Sequence, residues 1–351
     1  MGGVGSDTVI EFVEVVANTD DGFEWFGGTV STRNLFSLYC QDESFDIDEG
    51  HQGNHQFLFA LQSDFSDYGT EADGGNKTGS GVKTGTPLTL SKIYNATYIG
   101  GPNNNAFRLK DNYAGQFHNS IFTEYGGALM RVDDADTAGQ IGGNLCFTHS
   151  ILDNGSNPDT YGARPADEQA ILNQLGNEID LDPELSYISK NGFGEVVQID
   201  PRPVTTGPAW GSNLLEGAPV EVVDYRGAFG NDLWVLTWTY GSNEGIVVPS
   251  FSELTTPAAT IVGKGGVTIT AFSVDAGAGT AEVSFSDDNG VANGEFELTG
   301  GADLASFPTL VAPTGATVGS VSGTTITTDG SGNATVQFNL GSDAFFQVRG
   351  K

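Results

Sequence analysis

Cysteine is nearly absent. Two residues, Cys40 and Cys146, in a chain of 351 exclude a disulfide-rich scaffold and a zinc-ribbon site. Positive charge is scarce too: fourteen Lys and Arg stand against 45 Asp and Glu, a formal net charge of −31. A surface that acidic repels phosphate backbones, so nucleic acid is not an expected partner. No apolar run approaches the ~18 residues of a membrane-spanning helix, so no membrane span is expected. The sequence also lacks a G-x-S-x-G elbow, a P-loop and a dinucleotide-binding fingerprint.

What the chain has in excess is glycine, 50 residues, about twice ordinary usage. Hydrophobic residues make up 38%, enough to bury a sizeable core. Abundant Gly, Asn, Thr and Asp with few Lys predicts an exported protein, secreted or held at a cell surface, in salty or calcium-bearing water. The opening Met1-Gly2-Gly3-Val4-Gly5-Ser6 leads straight into a strand-like run over residues 9–16. It fits the myristoylation pattern, a match that glycine-rich starts reach by chance. The expected reading is a start codon on a mature or excised segment whose export signal has been removed.

Internal repetition carries most of the structural information. Asn18-Thr19-Asp20-Asp21-Gly22-Phe23-Glu24-Trp25-Phe26 aligns with Cys40-Gln41-Asp42-Glu43-Ser44-Phe45-Asp46-Ile47-Asp48, and then with Asp67-Tyr68-Gly69-Thr70-Glu71-Ala72-Asp73. A second series matches Asn95-Ala96-Thr97-Tyr98, Asn119-Ser120-Ile121-Phe122 and His149-Ser150-Ile151-Leu152. A third matches Phe107-Arg108-Leu109-Lys110-Asp111 with Met130-Arg131-Val132-Asp133-Asp134. Short β-rich strands recurring at such a period, with Gly/Asn/Asp corners, predict an all-β fold: a right-handed parallel β-helix, or solenoid, whose rungs stack about 4.8 Å apart. Four rungs of separation keep Cys40 and Cys146 beyond disulfide reach, and both are expected as buried thiols.

Polar runs at residues 74–85 and 153–165 read as loops leaving the coil. Residues 166–175 read as the one helix, with Gly176 just past its end, and residues 179–248 as a cap that finishes the solenoid. After Pro257 the pattern alternates apolar and polar, with hairpin turns at Asp287-Asp288-Asn289-Gly290 and Asp329-Gly330-Ser331-Gly332-Asn333, which predicts a small β-sandwich. The expected domains are therefore 1–256 and 257–351.

The alignment stacks Glu24, Asp46 and Glu71 in one column and Phe26, Asp48 and Asp73 in another. Carboxylates that close repel by roughly 1 kcal/mol per pair even in a water-like dielectric. Calcium, a hard cation with six to eight oxygen ligands, suits Glu24, Asp46, Asp48, Glu71 and Asp73; a solvated acidic face and catalysis remain open beside it. Arg108, Lys110 and Arg131 form a basic stack that either pairs with Asp111, Asp133 and Asp134 or grips an anionic sugar. His51 and His55 sit in a glycine-rich corner leading into a strand, where their spacing is not expected to converge on a metal. Trp25, Tyr68, Tyr94, Tyr98 and Tyr113 offer sugar-stacking faces if they point outward, and Trp25 is expected inside. An uncapped first rung also predicts head-to-tail self-association through its open edge.

Residues 20–30 and 45–50, with Asp224-Tyr225-Arg226-Gly227-Ala228-Phe229-Gly230 and the later Trp234 and Trp238, resemble blocks of uncharacterised secreted bacterial proteins with a pectate-lyase-like β-helix. That likeness spans roughly residues 3–248 and implies export and the solenoid, without an activity. The last ninety residues resemble bacterial Ig-like modules. A more distant similarity, to polygalacturonase-type glycosidases, rests on Asn18-Thr19-Asp20, Asp42-Glu43 and Arg108-Leu109-Lys110. It implies Asp20, Asp42 and Glu43 as acid and base, with Arg108 and Lys110 on a uronate, although Gly50-His51-Gln52-Gly53 falls in a corner where that family has a separate rung. The two function classes that follow are a calcium-stabilised binder of polysaccharide or neighbouring subunits, and a polysaccharide lyase or hydrolase.

Overall fold

In the computed structural model, residues 1–75, 85–153, 166–211, 217–249, 267–275, 280–287, 294–301, 309–339 and 345–350 are described. The chain separates into two compact units, Met1–Val248 and Pro249–Lys351. The boundary expected at Pro257, and most of the loops expected at 74–85 and 153–165, lie outside the described residues.

The first unit opens with β1 (Ile10–Val16), β2 (Phe23–Phe26), β3 (Thr32–Leu38), β4 (Phe45–Asp48), β5 (Asn54–Leu61) and β6 (Tyr68–Ala72). It continues with β7 (Lys92–Tyr94), β8 (Thr97–Ile99), β9 (Asn105–Leu109), β10 (Gln116–His118), β11 (Ile121–Thr123) and β12 (Met130–Val132). Then follow α1 (Ala135–Ala138), β13 (Cys146–Thr148), β14 (Ile151–Leu152), α2 (Ala166–Leu172) and β15 (Glu178–Ile179). Two parallel sheets result. One runs β1, β3, β5, then the paired halves β7/β8, β10/β11 and β13/β14, and ends on β15. The other runs β2-β4-β6-β9-β12.

The break within each rung of the first sheet has a backbone cause. Phe12, Asn34, Phe57, Asn95, Asn119, His149 and Gly176 occupy successive rungs of the register, and every one has φ between +49° and +73°. A left-handed residue bends the strand and costs an ordinary side chain about 1–2 kcal/mol. Gly176 meets that demand freely. Asn95 and Asn119 meet it with their amides, both donating to the carbonyl of Tyr225, at 3.0 and 2.7 Å.

Alternate residues of the first sheet enter two different cores. Leu35, Leu58, Ala60, Ala96, Tyr98 and Phe122 point into the space between the sheets, with Phe23, Trp25, Phe45 and Phe107 from the second sheet. Phe36, Leu38, Phe59, Leu61 and Ile99 point outward and are covered by Val196, Ile199, Phe229, Leu233, Val235 and Val247. That burial on both faces explains why β3 and β5 read as continuous apolar runs rather than alternating ones. The covering chain includes the antiparallel pair β16 (Leu185–Lys190) and β17 (Val196–Pro203), and α3 (Tyr240–Asn243). The described residues of 185–248 thus lie along the flank of the first sheet rather than closing its last layer. The end layer is met by α2, whose Ile171 and Leu172 join the inner core. The helix expected over 166–175 stops at Leu172, and the short α1 and α3 were not anticipated. Both cysteines are free, but only Cys40 is buried; Cys146 is partly exposed.

Among the described residues the second unit contains nine strands, β18 (Val267–Asp275), β19 (Thr280–Asp287), β20 (Glu295–Gly301), β21 (Thr309–Val311), β22 (Gly315–Val318), β23 (Ser320–Ser322), β24 (Thr325–Thr327), β25 (Asn333–Asn339) and β26 (Phe345–Gly350). They form two antiparallel sheets. Val283, Phe285, Val336 and Phe338 of one sheet share a core with Phe296, Leu298, Ile326 and Val348 of the other.

The Asn column ties the flanking chain to the first sheet. Asn119→Ala removes the amide bond to Tyr225 and leaves Ala in a left-handed position. The expected loss is about 1–3 kcal/mol of unfolding free energy, measured by denaturant titration, with faster amide exchange confined first to residues 225–229.

Candidate acidic face of the second sheet

Strands β2, β4, β6, β9 and β12 are three to five residues long. Their parallel register fixes the outward positions. Glu24 lies opposite Asp46, Asp46 opposite Glu71, Glu71 opposite Arg108, and Arg108 opposite Arg131. Phe26 lies opposite Asp48, and Asp73 continues the register by donating its N–H to the carbonyl of Ile47 at 2.8 Å. One outer row therefore reads acid, acid, acid, base, base.

The two halves are neutralised differently. At the basic half, Arg108 Nη1 donates to Glu71 Oε2 at 2.7 Å and its Nε to Asp133 Oδ2 at 2.8 Å. Lys110 bonds Glu71 and stands 3.5 Å from Asp73 Oδ1. Arg131 pairs with Asp133 at 2.6 Å and reaches the Tyr68 hydroxyl at 3.0 Å. The basic stack is thus already paired, through Asp133 as expected but through Glu71 and Asp73 instead of Asp111 and Asp134. Asp134 caps α1, accepting from Thr137 N at 2.9 Å, and also accepts from Asp111 N at 2.6 Å. Glu71 and Asp73, expected among the calcium ligands, belong to this ion-paired half.

At the acidic half no cation of the chain is bonded to Asp21, Glu24 or Asp46 among the described residues. Carboxylate oxygens of these three lie within 4.8 Å of one another, as do those of Asp20, Asp21 and Asp42, and those of Asp42, Glu43 and Asp67. Asp21 joins the outer row to the corner column. Asp46 Oδ1 is buried with no hydrogen-bond partner. Burial first, and then the neighbouring Asp21, Asp48, Asp73 and Glu71, push the Asp46 carboxyl up to about 8. Burial also raises Glu43, with Glu71 and Asp42 adding to it, and raises Asp21; these two carboxyls are hydrogen-bonded to each other. A proton shared between them is the neutral-pH consequence. Asp48, on the adjoining outer position, accepts from the N–H of Glu49 at 2.6 Å.

Asp20, Asp42 and Glu43, the expected acid and base residues, therefore stand together in one corner. Arg108 and Lys110 stand on the adjoining row, engaged with Glu71. Asp21, a corner residue that an Asx-type turn would explain, was not taken as a site residue, and Asp67 was missed, although the repeat offsets of 22 and 25 already stack Asp20, Asp42 and Asp67 in one column. The aromatic candidates Trp25, Tyr68, Tyr94, Tyr98 and Tyr113 are all buried, so none offers an open face to a sugar. His51 and His55 do converge: their Nε2 atoms lie 3.0 Å apart inside the core. The corner is folded tightly enough to bring them together, against expectation.

A family profile described as a pectate-lyase-like beta helix domain matches residues 1–178, the stretch that ends on the last rung. The chain belongs to this family. Comparison with curated proteins gives no match. The pectate-lyase-like β-helix is compatible with binding or processing polysaccharide, and no helix among the described residues is long and apolar enough to cross a membrane.

The raised carboxyls give stability a definite pH dependence. A folded state that holds a proton which the unfolded chain releases is penalised as pH rises from the unfolded value of 3.8 towards about 8 for Asp46. In chelator, the melting temperature is expected to fall by several degrees between about pH 6.5 and about pH 8. Asp46→Asn, neutral at both ends, should flatten most of that slope in calorimetric scans.

Proposed function

We propose that this protein is a secreted or cell-surface binder of glycans or neighbouring subunits that works without turnover, and that calcium stabilises its acidic face. The observation that carries this reading is the undivided outer row in which the basic residues are internally neutralised while Asp21, Glu24 and Asp46 converge with a buried, unpartnered oxygen on Asp46. Calcium there would take the three carboxylates together with water and backbone oxygens, and would remove the mutual repulsion that otherwise keeps protons bound. Hydroxyl-rich glycans suit such an ion and the polar corner around it. Within this reading the first unit is a right-handed solenoid and the second an Ig-like sandwich serving as a spacer or attachment module. Subunits meeting end to end would use the edge of β1, which among the described residues pairs with β3 alone, since α2 packs on the other end.

A second reading, lyase or hydrolase action on an acidic polysaccharide, has one observation in its favour. The Asp21–Glu43 pair keeps a proton available at neutral pH beside ionised carboxylates, as a general acid requires. Against it, the cations meant for a uronate are occupied by Glu71, Asp73 and Asp133.

Calcium is expected to raise the melting temperature by several degrees, EDTA to reverse this, and Asp46→Asn or Glu24→Gln to abolish the response. A glycan array run with and without EDTA should show binding that is lost with the ion, and incubation with uronate-containing and neutral polysaccharides should release no products. Unsaturated uronates or new reducing ends, lost in Glu43→Gln, would establish the catalytic reading instead. Melting that ignores both calcium and EDTA would remove the ion.

A further inference from the structure

His51 lies in the corner after β4, and His55 is the second residue of β5. Both are fully buried, and Trp25 of β2 stacks on His51 with ring centres 6.0 Å apart and lies tilted against His55 at 4.3 Å. Each of their four ring nitrogens has a partner, and together those partners fix the placement of every proton. His51 Nδ1 lies 2.9 Å from the carbonyl of Gly27, which can only accept, so Nδ1 carries the hydrogen. In a neutral ring His51 Nε2 is then the acceptor; it receives the Gly53 N–H at 3.2 Å and faces His55 Nε2 at 3.0 Å. His55 must therefore donate from Nε2, and its Nδ1 accepts from the Thr32 hydroxyl at 2.9 Å. The chain of bonds runs from Thr32 in the second rung through His55 in the third and His51 in the second to Gly27 in the first.

A further proton costs this closure a bond. A proton on His51 Nε2 would face the Gly53 N–H at 3.2 Å, and would also force His55 to turn over its tautomer, accept at Nε2 and donate to the Thr32 hydroxyl. A proton on His55 Nδ1 would leave a cation in a core that offers it no carboxylate. The groups packed around the pair are Trp25 from β2, Thr32 from β3, Ile93 from β7, opposite His55 in the register, and the backbone of Gly27 and Gly28. Among the described residues the only ionisable groups acting on the pair are the two rings themselves and the Met1 ammonium, and each of these disfavours a positive ring. Gly53 cannot be replaced to loosen the corner, because a Cβ there would lie 2.0 Å from the carbonyl of Val30 and 2.6 Å from His51 Nε2.

We infer that the His51–His55 pair is an acid-operated latch that holds the first three rungs closed while both rings are neutral and lets them open when the rings take up protons. The unfolded rings bind protons below about pH 6.5 and the latched rings do not. Stability from the pair is thus complete above that pH and is lost as pH falls. The opened segment would carry β2 and β4, and with them the acidic face, so acid would release whatever that face holds.

Three measurements on the whole chain test this. Imidazole nitrogen shifts at neutral pH should show His51 protonated on Nδ1 and His55 on Nε2, with both rings neutral. On acidification neither ring should titrate alone near pH 6.5; both signals should disappear together with the native signals of residues 23–61. The double variant His51→Gln/His55→Gln should unfold with about two fewer protons taken up between about pH 6 and pH 4.5, seen as a shallower pH dependence of denaturant stability. If that variant does not fold, the nitrogen titration of the native chain decides alone. A ring that titrates independently in the folded protein, identical tautomers in the two rings, or an unchanged proton uptake in the folded double variant would each overturn the latch.

Discussion

Parallel backbone register is the constraint on which the rest of this structure depends. Each rung hydrogen-bonds to the next residue for residue, so a side chain's neighbours above and below are set by the repeat alone. Apolar columns gain from this: Phe23 stacks on Phe45 with ring centres 5.5 Å apart, and Phe36 on Phe59 at 4.6 Å. The same register repeats a left-handed corner from Phe12 to Gly176, so that one strained backbone position becomes a continuous seam. Where asparagine occupies the seam its amide reaches Tyr225, and where Phe57 does, its ring lies against the ring of Tyr225 and beneath the guanidinium of Arg33. The flanking segment is therefore held by the seam's side chains as well as by its apolar cover.

That cover decides which face can act. The first sheet is buried inside by the second and outside by the described part of 185–248, and the residues it turns that way include Phe36, Leu38, Phe59, Leu61 and Ile99. The second sheet turns charged residues outward. A ligand as large as a polysaccharide needs a surface several rungs long, and the outer row from Glu24 to Arg131 supplies one across five strands.

The sequence made the rungs legible because the repeats preserve the register itself: Glu24 with Asp46, Phe107 with Met130 and Ile121 with Ile151 are paired in the fold as they are in the alignment. The flank was not legible. Residues 185–248 carry no repeat, and nothing in the alternation around their partners, Phe36, Leu38, Phe59 and Leu61, separates a residue facing the flank from one facing the inner core. The second outward core could have been suspected from the unbroken apolar runs in β3 and β5. The histidine contact was missed although the corner was recognised, because residue types alone do not show how tightly Gly50 to Gly53 turn, and the turn is tight enough to bring the two rings together. The partners of the basic stack were misjudged for a related reason: local sequence favoured Asp111 and Asp134, while the register delivered Glu71.

Stacking like upon like creates an electrostatic problem that each polar column must solve, and this chain contains several solutions side by side. His51 and His55 solve it by staying neutral with complementary tautomers. Glu71 solves it by a change of sign in the next rung, where Arg108 takes its place and Lys110 adds a second cation. Asp21 and Glu43 solve it with a shared proton. Asp46 has none of these. It lies between Glu24 and Glu71 with Asp21 within ligand distance, its cations are one rung too far, and one of its oxygens is buried without a donor. Protonation relieves the repulsion at the expense of charge that would bind a cation; an outside cation relieves it while keeping the three carboxylates ionised. The second state has more to gain at neutral pH, because a dication offsets two charges among Asp21, Glu24 and Asp46 whereas a proton offsets one. The position of Asp46 in the stack, more than the overall acidity of the chain, is what argues for an ion there.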